Sequence, residues 1–122
     1  MRKSFWWGLG FILVIVLIWY VSSKPGKYDD FAQCLNDEGA VMYGAYWCPH
    51  CQAQKKLFGS SWDKVNYVEC SLPNGNGQTE ICKKEGIVSY PVWKFADGKE
   101  ISGQLSLEQL GSFTGCDLLV ED

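Results

Sequence analysis

The sequence has no concentration of positive charge. Eleven Lys and Arg stand against 14 Asp and Glu, a net charge of −3, which argues against nucleic-acid binding, since that needs a basic face. Lys55-Lys56 and Lys83-Lys84 are isolated pairs, read as solvated helix faces. There is no internal repeat and no low-complexity tract. There is one histidine, His50, and no second cysteine pair at zinc-knuckle spacing, so no metal is expected. Covalent haem would need a histidine directly after a Cys-x-x-Cys pair, where this chain has Gln52. Hydrophobic content of 47% with 20% charged residues fits a globular fold, not a disordered tail.

What is present begins with an uncharged stretch over residues 5–21, at the lower edge of the length that spans a bilayer as a helix. Trp6 and Trp7 open it, and Trp19 and Tyr20 close it, as an interfacial aromatic belt does. No face of it is polar, which disfavours a buried amphipathic helix. A cleaved signal peptide, with residues 21–23 as its small-residue site, is the weaker alternative. Residues 1–27 are therefore expected to form a membrane anchor and linker, and residues 28–122 one small α/β domain. Arg2 and Lys3 before the span are balanced by Lys24 and Lys27 after it, so charge bias sets orientation only weakly. Six cysteines, an even number, suggest an oxidising compartment. The domain is accordingly expected on the extracytoplasmic side, periplasmic or lumenal.

Periodicity predicts a helix over 28–38, stopped by Gly39, with Phe31, Cys34 and Leu35 on one face. A buried strand follows over 41–45, a helix over 49–58 closing at Gly59, and a strand over 65–69. Residues 71–78 form a loop, and 79–85 a short helix ending at Gly86. Strands over 92–95 and 99–102 flank Asp97-Gly98, a hairpin signal. Ser106 and Gln109 make a capping box for a last helix carrying Leu107, Leu110 and Phe113. Strand–helix alternation ending in a hairpin implies a mixed sheet flanked by helices.

The chemistry concentrates in Cys48-Pro49-His50-Cys51, where a strand hands over to a helix. Cys48 falls at the helix N-cap, with Pro49 pre-set at the first helical position. Unpaired N–H groups and the positive end of the helix dipole then favour its thiolate. His50 is a further donor or positive charge. Cys51, one turn on and facing inward, is placed to resolve a mixed disulfide. A purely structural bridge here gains little, because so short a loop restrains the unfolded chain weakly. The expected cofactor is none beyond the redox-active disulfide.

The residues Tyr46-Trp47-Cys48-Pro49-His50-Cys51 after an apolar strand, with Tyr90-Pro91 some forty residues later, resemble the thioredoxin superfamily. The resemblance implies a cis-proline loop at Tyr90-Pro91 that faces the active disulfide and, with Trp47, helps bind extended thiol substrates. A more specific likeness is to the thioredoxin-like domain associated with vitamin K epoxide reductase homologues. It rests on residues 43–52, 54–59 and 67–70, on Cys82, on Gly86-Ile87 and on Tyr90-Pro91-Val92-Trp93, and spans nearly the whole domain from Phe31 to Cys116. It implies passage of disulfides between substrate proteins and a quinone-linked membrane enzyme. It also implies a second cysteine pair matching Cys70 and Cys82.

The chain departs from these families at three points. One span is not the helical bundle that holds a quinone, so the recycling partner is expected to be a separate protein. Met42 stands where thioredoxins keep a buried acid that serves the inner cysteine, which shifts the expectation toward oxidase or isomerase and away from reductase. Val92 stands where the closer family commonly has threonine.

A Cys70–Cys82 bridge would close a 13-residue loop and add roughly 3 kcal/mol by restraining the unfolded chain. It is read first as structural and second as a relay to the motif. Cys34 and Cys116 either pair with each other or remain buried thiols. The expected function is a membrane-anchored thiol–disulfide oxidoreductase acting on exported proteins. The alternative is a tethered, non-catalytic scaffold of the same fold held by disulfides.

Overall fold

The computed structural model describes residues 2–22 and 25–118. The expected linker over 22–27 and the last residues of the expected domain, 119–122, therefore fall partly or wholly outside the described residues.

The apolar stretch is one helix, α1 (Arg2–Ser22), whose mean hydropathy of 2.1 makes it long and apolar enough to cross a membrane. None of its residues is buried against the rest of the chain, and Trp6, Trp7 and Trp19 are all exposed.

The remaining elements are α2 (Asp29–Asp37), β1 (Val41–Gly44), α3 (Pro49–Phe58), β2 (Tyr67–Glu69), α4 (Glu80–Lys84), β3 (Val92–Lys94), β4 (Glu100–Ser102) and α5 (Leu107–Thr114). The strands lie in the order β2-β1-β3-β4. β1 and β2 run parallel, linked through α3, whereas β1–β3 and β3–β4 are antiparallel. The mixed sheet with flanking helices agrees with the order of elements expected from periodicity.

The main core contains the largest fully buried side chains: Trp93, Phe31, Phe58, Leu35, Met42 and Leu110. Phe31 stacks on Phe58 across α2 and α3, with ring centroids 6.3 Å apart. A smaller cluster of Tyr43, Cys70, Cys82, Ile87 and Val92 fills the other side of the sheet. This division follows the strand period of two, since Met42 and Tyr43 point to opposite faces.

Gln54 is fully buried in the main core, with both its amide oxygen and its amide nitrogen hydrogen-bonded. Its Oε1 accepts from the Trp93 indole at 3.2 Å and from the Leu105 N–H at 2.8 Å, and its Nε2 donates to the Leu105 carbonyl at 2.9 Å. It pins α3 to β3 and to the segment entering α5.

Two local expectations are revised, and one element is added. α3 ends at Phe58 with Gly59 as its cap, as expected, and the chain then continues as a 3-10 turn, Gly59–Lys64, that periodicity did not indicate. Gly59 supplies the positive φ of 58°, and Trp62 then packs 5.4 Å from the Phe58 ring and 5.6 Å from Tyr67. Ser61, buried in that turn, accepts the Tyr28 N–H at 2.9 Å and ties the start of α2 to it. The strand expected from Val65 begins at Tyr67, because Val65 caps the 3-10 turn through its N–H. On α5, Leu107 and Leu110 are buried, but Phe113 is 39% exposed and packs on Phe95, with centroids 5.4 Å apart.

Candidate active site

β1 ends at Gly44 and the chain turns through Ala45, Tyr46 and Trp47 before α3 begins. The turn is pinned on three sides. The Tyr46 N–H donates to Glu69 Oε1 at 2.8 Å, the Tyr46 hydroxyl donates to the Pro73 carbonyl at 3.0 Å, and Gln52 Nε2 donates to the Tyr46 carbonyl at 3.0 Å. Trp47 donates its indole N–H to Ser71 Oγ at 2.9 Å and meets the Tyr90 ring edge-on at 5.9 Å.

Cys48 is the N-cap of α3, in extended conformation (φ −75°, ψ 121°), with Pro49 in the first helical turn. Its sulfur accepts the Cys51 backbone N–H at 3.3 Å, so one of the orphan donors of the helix start points at it. On its other side that sulfur lies 3.9 Å from the Tyr90 carbonyl oxygen. The Tyr90-Pro91 peptide is cis, and Pro91 is fully buried. Gln78 Nε2 bridges the Tyr90 hydroxyl at 3.1 Å and the Ile87 carbonyl at 2.7 Å, fixing this segment from behind. Cys48 is 5% exposed and Cys51 fully buried, and both are free thiols. Pro49 and His50 lie on the exposed side of the first turn.

Burial and the hydrogen bond with Cys48 push the Cys51 thiol up to about 12; the nearby positive charge of Lys55 acts in the opposite direction. Beneath Cys51 the sheet is closely approached. A Cβ on Gly44 would sit 3.0 Å from Cys51 Sγ, 3.1 Å from the Tyr67 ring and 3.3 Å from the Met42 methyl. A side chain here would oblige all three to give way by a few tenths of an ångström. Met42 is fully buried and faces Tyr67 on β2 and Trp93 on β3. Tyr67 donates its hydroxyl to Glu69 Oε2 at 3.0 Å. Burial and then that bond raise its pKa, so the phenol stays protonated.

The structure thus brings together Trp47, Cys48, Cys51, Tyr90 and Pro91. It sets apart the other four cysteines, which form two disulfides. Cys70–Cys82 joins the end of β2 to α4 within the smaller cluster. Cys34–Cys116 joins α2 to the segment after α5. Of the two states open for Cys34 and Cys116, the structure has the pair.

Gly44, Lys55, Tyr67, Glu69 and Gln78 were not singled out from the sequence. Gly44 carried a signal, because a glycine inside an apolar strand marks a close approach. The others carried none. Among the described residues no group of three or more His, Cys, Asp or Glu side chains is arranged to hold a metal ion.

A mixed sheet flanked by helices, with a cysteine pair opening a helix opposite a cis-proline, is a thioredoxin-like fold, here preceded by one apolar helix. The chain is similar to thiol-disulfide oxidoreductase LTO1 of Arabidopsis thaliana, with 41% identity over 103 residues. That stretch is 80% of this chain and 27% of the plant protein, so the chain spans about a quarter of its relative's length. The likeness is to that part of a protein named as a thiol-disulfide oxidoreductase. No family model matches the chain.

Proposed function

We propose that this chain is a membrane-anchored thiol–disulfide oxidoreductase that exchanges disulfides with exported proteins through Cys48 and Cys51. The observation that carries the reading is the setting of Cys48 Sγ, which caps α3, accepts the Cys51 N–H at 3.3 Å and faces the Tyr90 carbonyl at 3.9 Å. A sulfur at a helix N-cap lies against the open N–H groups and the positive end of the helix dipole. Cys48 is the attacking sulfur and Cys51 the resolving one. Trp47 and the Tyr90-Pro91 segment border the place where an extended substrate chain lies.

Oxidation or isomerisation of substrates is favoured over reduction. The support is Met42, whose thioether cannot accept the Cys51 proton as a buried carboxylate would. Recycling falls to a quinone-linked membrane partner of the vitamin K epoxide reductase type. The α1 helix is the anchor, and the domain lies on the extracytoplasmic side.

Trapping tests the reading. Cys51→Ala should accumulate mixed disulfides between Cys48 and exported proteins, lost again when Cys48→Ser is added. A folded, exported Cys51→Ala protein without such adducts overturns it. The redox potential of the Cys48–Cys51 pair tests the direction: about −120 mV is expected of a strong oxidant, and about −270 mV, as in thioredoxin, would reverse the preference.

A further inference from the structure

Cys51 poses a problem that the proposed exchange must solve. Its thiol is fully buried and held near 12, yet its sulfur must act as thiolate, either attacking a mixed disulfide or leaving one. No carboxylate stands on β1 beneath it; the strand offers Met42 and Gly44.

The groups that do face this sulfur come from two elements and one loop. From α3 come Cys48 and Lys55, the latter four residues on and hence on the same helical face. From β2 comes Tyr67, whose ring edge shares the space above Gly44 with Cys51 Sγ and whose hydroxyl is tethered to Glu69. The turn before the motif contributes the Ala45 backbone, whose hydrogen bond to this sulfur also favours the thiolate; the Tyr90 carbonyl of the cis-prolyl segment faces Cys48 instead. Lys55 Nζ lies 4.2 Å from the centre of the Tyr67 ring and 5.9 Å from that of Trp62. These two rings hold the ammonium by cation–π attraction instead of leaving it to swing in solvent. Trp62 is itself fixed 5.6 Å from Tyr67, and Glu69 fixes the far end of Tyr67.

From this geometry we infer that Lys55, held over the Tyr67 ring, is the electrostatic positioning residue that makes the Cys51 thiolate accessible in place of a buried acid. The inference rests on the exchange reaction proposed above. In the resolving step Cys51 releases its proton to water and its sulfur bonds to Cys48 Sγ. The Cys48–substrate bond breaks, and the substrate sulfur leaves as thiolate with the electron pair. The cysteine pair is oxidised by two electrons and the substrate disulfide is reduced. In the opposite direction Cys51 is the leaving thiolate and recovers a proton from water. Lys55 lowers the energy of the same anion in both directions, because a positive charge nearby favours the ionised thiol. Neither step makes Lys55 a proton carrier; its charge is what acts.

The full-length reduced protein, treated with 5,5′-dithiobis(2-nitrobenzoate), reports both steps separately. Attack by Cys48 releases the first coloured thiolate, and resolution by Cys51 releases the second. For Lys55→Met the second phase should slow about fivefold at pH 7, and its pH profile should move upward by roughly 0.7 unit, since thiolate fraction changes tenfold per unit. The first phase serves as the internal reference. Lys55→Arg should restore the second phase, and Lys56→Met, a change at an exposed neighbour, should leave it as in the parent. A second phase unaltered in Lys55→Met, or slowed equally by Lys56→Met, overturns the role of Lys55. Failure of Cys48 to form the first adduct overturns the exchange reaction itself, so the two failures are distinguishable.

Discussion

Cys51 is a residue whose environment translates into a measurable pH dependence of stability. Burial, then its bond to Cys48, raises its thiol from an ordinary value near 9 to about 12. In the unfolded chain the thiol ionises first, so above pH 9 the unfolded state binds fewer protons than the folded one. Stability from this group is complete below about 9 and is lost as pH rises toward 12. Denaturant titrations of the reduced protein should show that fall, with a slope of at most about 1.4 kcal/mol per pH unit. Cys51→Ala lacks the titrating group, and the part of the slope due to it should vanish; an unchanged slope would assign the fall to other groups. Gly44, one layer below, belongs to the same setting. Its lack of a side chain is what lets Cys51, Tyr67 and Met42 converge.

Among the elements, α3 and α5 show how far local sequence determines structure. Pro49 after Cys48 marks the start of α3, and the Ser106–Gln109 capping box marks that of α5; both are local signals and both hold in the structure. In α5 the Ser106 Oγ accepts the Gln109 N–H at 3.1 Å, while Gln109 Oε1 accepts the Ser106 N–H at 2.9 Å. Ser106→Ala should therefore lower thermal stability by about 1 kcal/mol, read as a drop in the denaturation midpoint without loss of thiol reactivity at Cys48. A change of less than a few tenths of a kcal/mol would show that the box is dispensable.

What local signals did not disclose depends on partners distant in sequence. The 3-10 turn after Gly59 forms because Trp62 finds Phe58 and Tyr67. The placement of Tyr67 under Cys51 follows from its parallel pairing opposite Met42. Glu69 falls at the end of the strand expected over 65–69, and only the fold places Tyr46 and Tyr67 against its carboxylate. Nothing local to Gln54 discloses that Trp93 and Leu105, far along the chain, close around it.

For the whole molecule, the two disulfides act on different lengths of chain. Cys70–Cys82 spans a sequence separation of 12, and Cys34–Cys116 one of 82. The second joins α2, at the start of the domain, to the segment after α5. Closing so long a loop restrains the unfolded chain by about 4.5 kcal/mol on the chain-entropy account. Replacing both Cys34 and Cys116 with alanine should lower stability by several kcal/mol while leaving the geometry at Cys48 intact. The denaturation midpoint and the rate of the first thiolate release measure those two quantities independently. Loss of the second without loss of the first would tie this bridge to the site and not to the fold.

One carboxylate brings these scales together. Glu69 takes the Tyr46 N–H ahead of the cysteine motif, the Tyr67 hydroxyl under Cys51, and, at 3.1 Å, the N–H of Cys70 in the bridge to α4. It serves as a surveyor's datum: the motif loop, the floor of the site and the neighbouring staple are all measured from one fixed point. Their errors of position are therefore shared, and what displaces one benchmark carries the other two along with it.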